Sequence, residues 1–498
     1  MKKWFTVLLG AVIALTTAAS SENMSEETHD FSYALERAGE RREGIVKPDY
    51  SIFLAMTEGR TPIPGHPEGF WGEDVPSSPL LRISLEYAVS DAWTLFNLMR
   101  DVYGGYVYFG GDEVFYAVFE NITEELTALG QDIILTSHFV NIVHENLSQI
   151  IVDNHFWLGN HRMGRDIAFF QPVNMRHSSY RRTGSGFINK ETGLALYEIV
   201  GHEIEDVMRL FADEGGELFY APVLLLENFR MPLTQIRFMY EDGTGQLRSF
   251  RRKVQQARRT QLPSLEFIDG IPVVTVMMMG FDGHENAWNV DHAVPFLSFA
   301  EELRDEPVVV VDIRSNGGGN GLMGQRWLYE LTGEIVPTNS VNLSTWPYES
   351  GRFAFDPYNP FQNLPGSIDG FIFEGPFGEG YSISNHLPRE VIEREQILIL
   401  ITDRFAGSAA ESFADLAFNI TNTLVIGAPT AGVLAFDLTY PQLTLPNTGV
   451  PFGLGRNMFL WPDGHFAEGV GIQPDIWVEG DALEAALALI RNGLLAGE

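Results

Sequence analysis

The sequence predicts an α/β protein: an N-terminal helical region, a small α+β segment inserted after it, and a C-terminal core on a mainly parallel, buried sheet. Three observations carry this. From Leu265 onward, short apolar runs (IPVVTVMMM, PVVVVDI, ILILITD, TLVIGA) alternate with helical segments near VPFLSFAEEL, RWLYELTG and ESFADLAFNI. Strands that are apolar on both faces belong to a sheet covered on both sides by helices. Between Leu80 and Val152 the apolar residues recur at helical spacing, and residues 164 to 260 mix strand-like and helical runs.

In chain order, MKKWFTVLLGAVIALTTAAS has the layout of a secretory signal peptide over residues 1–20. Lys2 and Lys3 form a positive start, Trp4 to Leu15 an apolar stretch, and Thr17-Ala18-Ala19 a small-residue cleavage site. Residues 21–79 are polar and rich in Pro and Gly, and read as a tail or loosely packed cap. The region 80–163 carries three helices (LEYAVSDAWTLFNLMRDVY, DEVFYAVFENITEELTAL, HFVNIVHENLSQIIV) and ends in the turn-like DNHFWLGN. Over 164–262, strands DIAFFQPV, GELFYAPVLLL and TQIRFMYED surround a helix in HEIEDVMRLFADEG, and basic FRRKVQQARR closes the segment. The α/β core is 263–498, interrupted by a Pro/Gly/Phe-rich insertion from Trp346 to Tyr381 of lid-like length.

Composition narrows the function classes. A net charge of −33, from 33 basic and 66 acidic side chains, argues against nucleic acid or an anionic membrane as partner. The chain has no cysteine, which removes disulfides, a thiol nucleophile, lipoprotein acylation and thiolate metal sites. Oxygen and imidazole chemistry remain. His155 with His161, and His138 with His144, are spaced so that no helical face presents both imidazoles, so neither a metal nor a cofactor is expected.

Two strand–turn units suggest catalysis. In PVVVVDIRSNGGGNG a strand runs into glycines 317–319, with Asp312 and Arg314 at the mouth. In TDRFAGSAAES a strand runs into Ser408 at the start of a helix. A nucleophile beside exposed backbone N–H groups is what acyl transfer needs. Ser408-Ala409-Ala410-Glu411 is also a capping box, a structural role compatible with the chemical one. The glycines formally match a dinucleotide fingerprint, but Arg314, Ser315 and Asn316 separate strand from glycines, so an oxyanion loop fits better. The five lysines all precede residue 254, which leaves histidine as the more available base. Of twelve histidines, His155 stands out within Asp153-Asn154-His155-Phe156-Trp157. Glu468, in a hairpin-like segment near the end, either orients a histidine or is a solvated carboxylate.

These residues resemble the tail-specific (C-terminal processing) serine peptidases, within them the branch of tricorn peptidase cores and interphotoreceptor retinoid-binding protein repeats. The carriers are VVVDIRSNGGG, ITDRFAGSAAESFADLAFN with TLVIGAPTAG, PDGHFAEGVGIQPDI, and LSQIIVDNHFWLG upstream. The resemblance implies a crotonase/ClpP-like core and a PDZ-like domain at 164–262, where no Gly-Leu-Gly-Phe loop is found. It implies Ser408 as nucleophile, with Gly317, Gly318 and the Ala409 N–H as oxyanion hole. Where Ser–Lys members carry lysine after a Thr-x-Gly turn, this chain has Val433. The tricorn-like branch implies His155 as base, with Glu468 and Asn154 orienting it. The expected function is an exported serine peptidase acting on peptides or proteins. A non-catalytic relative that binds peptide or an apolar ligand, and a serine esterase or amidase, are the competing readings. Nothing in the sequence sets an oligomeric state.

Overall fold

The structure is a computed structural model. It describes residues 30–43, 76–165, 167–227, 231–259, 261–279, 290–334, 336, 341–345, 371–374, 381–386, 391–437, 440–455, 457–460 and 468–495. The expected signal peptide, most of the 21–79 segment and most of the Trp346–Tyr381 insertion lie outside these residues. Among the described residues no helix is long and apolar enough to cross a membrane.

The fold is mixed α/β. Helices Leu85–Val102, Gly111–Ala128 and Thr136–Leu147 form the N-terminal region. Their apolar stripes bury Leu95, Phe96, Phe115, Phe119, Phe139 and Val143 in one cluster. Phe156, Leu158, Phe436, Phe452 and Leu454 belong to the same cluster, so this core also holds strands that sit against the catalytic-looking half. DNHFWL, expected as a turn, is a strand over Asp153–Leu158. Buried Asp153, Phe156 and Leu158 face inward, and the strand pairs antiparallel with Pro451–Leu454. That pairing partner is almost 300 positions away in sequence, so no local signal announces it.

A ten-stranded sheet organises the rest. Its order is Ser264–Ile268, Ile271–Thr275, Val308–Asp312, Ile397–Thr402, Thr423–Gly427, Ile476–Val478, Met208–Ala212, Leu218–Pro222, Tyr180–Thr183, Gly186–Asn189. From Ile271–Thr275 through Met208–Ala212 every neighbouring pair is parallel. Helices Val290–Glu302, Gly321–Thr332 and Ala409–Ala417 contribute to the cluster on one face, and Ala482–Ile490 with Phe31–Glu43 to the cluster on the other. This double cover is why the strands read as unbroken apolar runs.

Three local expectations change. The helix expected over HEIEDVMRLFADEG is one turn, Ile204–Val207, followed by strand Met208–Ala212. Phe211 and Ala212 are taken up in parallel pairing with Trp477 and Val478, so tertiary pairing overrides the helical pattern. The hairpin expected near the end is not formed by Ile476–Val478, which instead joins two parallel neighbours. Within the expected loose tail, Phe31–Glu43 is a packed helix with Phe31, Ala34 and Ala38 buried. A five-stranded antiparallel sheet holds the remaining strands of the 164–262 segment: Leu224–Glu227, Ile167–Pro172, Gly245–Arg252, Leu233–Tyr240 and Leu196–Ile199.

Candidate active site

The site forms where Val308–Asp312 and Ile397–Thr402, adjacent parallel strands, end side by side. Each strand gives way to a turn that leaves ordinary backbone space. Ser315 has φ +63°, Gly318 +107° and Gly319 +137°, and Ser408 itself sits at φ +54°, ψ −117°. For a non-glycine residue such a conformation costs of order 1 kcal/mol or more and persists only when its surroundings impose it. Two side chains do so. Asp403 Oδ1 accepts the N–H groups of Ser315 (2.9 Å), Phe405 (2.9 Å) and Ala406 (3.0 Å), while Oδ2 accepts the Ser315 hydroxyl at 3.2 Å. Buried Asn316 donates Nδ2 to Val276 O at 3.1 Å, and its backbone carbonyl accepts the Gly407 N–H at 2.9 Å. The Asp403 carboxylate and the Asn316 backbone carbonyl thereby stitch the two turns together, while the Asn316 carboxamide anchors the glycine turn to Val276.

The glycine turn lies against the Ser408 turn. A Cβ at Gly318 would fall 2.8 Å from Ser408 Cβ and 3.1 Å from Ala409 N, so only glycine permits this approach. In this conformation the Gly318 N–H donates to Asn316 Oδ1 at 3.0 Å and is not turned toward Ser408. Gly317 is exposed, with open space where a side chain would be. Ala409 begins the helix Ala409–Ala417, whose N-terminus adds favourable potential for negative charge.

Ser408 caps that helix, and the capping box is present. Glu411, fully buried, accepts the Ser408 N–H at 3.1 Å and the Gly432 and Val433 N–H groups at 2.8 Å each, together with the Thr430 hydroxyl. Burial raises its pKa and these donors oppose the rise. The turn Thr430–Val433 is thus bound to the Ser408 helix through one carboxylate.

His155 comes from a different element, the strand Asp153–Leu158, and its Nε2 lies 3.3 Å from Ser408 Oγ. Its Nδ1 is buried and has no hydrogen-bond partner. Burial, with the positive charge of Arg162 behind it, lowers the imidazole pKa to about 4. Beside it are two buried carboxyls. One nitrogen of His155 and one oxygen each of Asp153 and Glu468 lie within 4.8 Å of one another. Asp153 accepts the N–H groups of His155 (2.7 Å) and Phe156 (3.0 Å) and the Tyr103 hydroxyl (3.0 Å). Burial raises the Asp153 pKa to about 7 against these donors. Glu468 accepts the Asn154 N–H at 2.7 Å and the Ala435 N–H at 2.9 Å, and burial, then the Asp153 charge, push it well up. Both carboxylates are already committed to amide and phenol donors, so the trio reads as a scaffold for the imidazole strand.

The sequence-predicted residues therefore meet in part. Ser408 and His155 touch, and Gly318 lies against Ser408 and Ala409, while Gly317 is exposed with no such contact. Glu468 reaches the His155 strand through its backbone, and Asn154 directs its side chain away, to Gly432 O at 2.7 Å. Sequence reasoning passed over the roles of Asp153, Tyr103, Asn316 and Asp403. Asp153 and Asn316 lay within the motifs already noted; Tyr103 is fifty positions from its partner and carried no signal.

A serine with positive φ at a helix start, an imidazole nitrogen 3.3 Å from its hydroxyl and a glycine turn alongside make an arrangement that could carry out acyl transfer. Residues 286–478 match the family model described as peptidase family S41. This match spans less than half of the chain; over it the chain is similar to the tail-specific serine peptidases, which supports a serine peptidase, a hydrolase. Ser408, Glu468 and the glycine turn lie inside the matched residues and His155 outside them. Among solved structures, mature CPAF complexed with lactacystin is similar over 83% of this chain and 98% of its own, at 14% identity and TM-score 0.41. The photosystem II D1 C-terminal processing protease is similar over 82% and 97%, at 12% identity and TM-score 0.35. The tricorn protease is similar over 81% of this chain and 37% of its own, at 14% identity and TM-score 0.35. No curated protein matches the chain.

Proposed function

We propose that the chain is an exported peptidase that cleaves peptide bonds by a Ser408–His155 mechanism on a crotonase/ClpP-like core, in the manner of the tricorn-like branch. The single observation that carries the mechanism is the 3.3 Å contact between His155 Nε2 and Ser408 Oγ, made by residues 253 positions apart. With a pKa of about 4 the imidazole is uncharged at neutral pH and Nε2 can accept a proton. Val433 stands where the Ser–Lys members carry their base, which leaves the histidine alone in that role.

His155 Nε2 takes the Ser408 hydroxyl proton as Oγ attacks the carbonyl carbon. The carbonyl oxygen becomes an oxyanion held by the Ala409 N–H and a glycine-turn N–H. Gly318 would first exchange Asn316 Oδ1 for the oxyanion. The imidazolium passes its proton to the leaving amine nitrogen as the C–N bond breaks. Water, deprotonated by His155, then cleaves the Ser408 ester, and the proton returns to Oγ. Asp153 and Glu468 stabilise the transient imidazolium, and Glu468 holds the strand through Asn154. The 164–262 segment is the insertion between the histidine strand and the core, with four of its strands extending the core sheet, and the leader at residues 1–20 directs export.

The test is mass-spectrometric digestion of an unstructured peptide mixture by the mature protein, with Ser408→Ala and His155→Ala in parallel. Cleavage by wild type and loss in both variants, by at least about 10³-fold, is the expected result. Loss in Ser408→Ala alone would remove His155 from the mechanism. A folded wild type that cuts no peptide but hydrolyses small esters would move the reading to an esterase.

A further inference from the structure

The segment that leaves the five-stranded sheet does not run free to the core. After strand Gly245–Arg252 the chain crosses both active-site turns before entering strand Ser264–Ile268, and it is tied down at each step. Lys253 N–H donates to Phe169 O at 2.8 Å and its Nζ to Glu479 O at 2.7 Å. Gln255 Oε1 accepts the Arg404 N–H at 2.8 Å, next to Asp403 in the nucleophile turn. Arg258 N–H donates to Ser315 Oγ at 2.9 Å, and Arg258 Nη1 donates to Asp312 Oδ2 at 2.8 Å, at the start of the glycine turn.

We propose that Lys253–Arg258 is a positioning strap that holds the glycine turn and the nucleophile turn in register, with Arg258 and Gln255 as its positioning residues. The inference rests on the reading of Ser408 as nucleophile. The reasoning is one of constraint. Ser315 must be kept at φ +63° for the chain to deliver Gly317 and Gly318 beside Ser408. Its hydroxyl is held from both sides, accepting from the strap and donating to Asp403, the carboxylate that also caps the nucleophile turn. Among the described residues, the Arg258 N–H is the donor that reaches Ser315 Oγ from outside the two turns. The strap carries no group to the reacting atoms; it acts through Asp312, Ser315 and Arg404. Because it begins where strand Gly245–Arg252 ends, a displacement of the five-stranded sheet would be passed directly to both turns.

Removing the strap's side chains should leave the fold intact. Asp312, nearly fully buried, keeps Arg314, whose Nε and Nη2 reach it at 2.7–3.1 Å, so loss of Arg258 does not strand a buried charge. Small misplacements of reacting groups are expensive in rate, up to ~10²-fold for an ångström.

The experiment compares wild type with Arg258→Ala, Arg258→Lys, Gln255→Ala and Ser315→Ala. The expected result is a kcat about tenfold lower in Arg258→Ala and Ser315→Ala with KM within about twofold, and partial recovery in Arg258→Lys. Hydrogen exchange is read in parallel at the amides of Ser315, Ala406 and Gly407, which should lose protection while distant strands do not. Unchanged kcat and unchanged exchange in both Arg258→Ala, which removes the tie to Asp312, and Ser315→Ala, which removes the tie to the Arg258 N–H, would overturn the strap. Exchange does not depend on turnover, so it tests the strap even if wild type cleaves nothing. Failure of wild type to react with a fluorophosphonate at Ser408 would sink the nucleophile assignment instead, and the two failures are separately visible.

Discussion

At the scale of single residues, the electrostatics of the imidazole strand make a pH prediction. His155, lowered to about 4, is already neutral above pH 5, so its own titration cannot limit activity near neutrality. Proton uptake during reaction creates a cation beside Asp153 and Glu468, and an ionised carboxylate there favours it. Asp153 ionises as pH rises through about 7. The expected kcat/KM profile therefore climbs through about pH 7, and in Asp153→Asn the acid limb moves below pH 5. A pH–rate series on both proteins decides this; an unmoved limb would take Asp153 out of the account. The same shift has a stability consequence. A carboxyl whose folded pKa is raised from 3.8 to about 7 contributes stability below about pH 4 that is lost as pH rises through about 7. Melting temperatures between pH 5 and 8 should thus fall in wild type more than in Asp153→Asn.

At the scale of elements, the two turns matter more than the strands that lead to them. Gly318→Ala would require a Cβ 2.8 Å from Gly407 O and from Ser408 Cβ at φ +107°. Something must move, and the backbone of Gly407 and the side chain of Ser408 are equally close. The expected outcome is loss of peptide cleavage by at least about 10²-fold, with a melting temperature lowered by only a few degrees. Equal loss of fold and activity would mean that the contact is merely structural. The turn Thr430–Val433 makes a companion case: a Cβ at Gly432 would meet the backbone of Gly469 at 2.6 Å, so Gly432→Ala should disturb the segment that carries Glu468. Paired activity and thermal-melt measurements on both variants separate the two turns.

At the scale of the whole molecule, the ten-stranded sheet crosses from the 164–262 segment into the core. Trp477 is paired in register with Phe211 and packs at a tilt against the rings of Phe169 and Phe211. A fragment of residues 263–498 would leave Ile476–Val478 as an unpaired edge with Trp477 exposed. It should express as aggregate under conditions where the full chain does not; a fragment that stays in solution and unfolds cooperatively would contradict the continuity of the sheet. Within the full chain, Trp477→Ala should cost about 3–5 kcal/mol in chemical denaturation, because it opens a cavity at the seam.

What could be read from the sequence alone follows from periodicity and local chemistry. The apolar runs VVVVD, ILILIT and TLVIG are strands because a sheet covered on both faces demands unbroken apolar sequence, and they form with the expected parallel neighbours. The helices at Leu85, Gly111 and Ala409 were equally legible from their spacing. Ser408 and the glycine turn could be singled out because a serine at a helix start and a glycine cluster at a strand end are local features. Only the tertiary structure decided the rest. DNHFWL is a strand because Pro451–Leu454 pairs with it, and Met208–Ala212 is a strand because Ile476–Val478 does. Glu468 meets the histidine strand through Asn154 N–H, and Asn316 turns Gly318 N–H inward; both are contacts between distant segments. Such pairings depend on which surfaces the packed core brings together, and no window of sequence contains both partners.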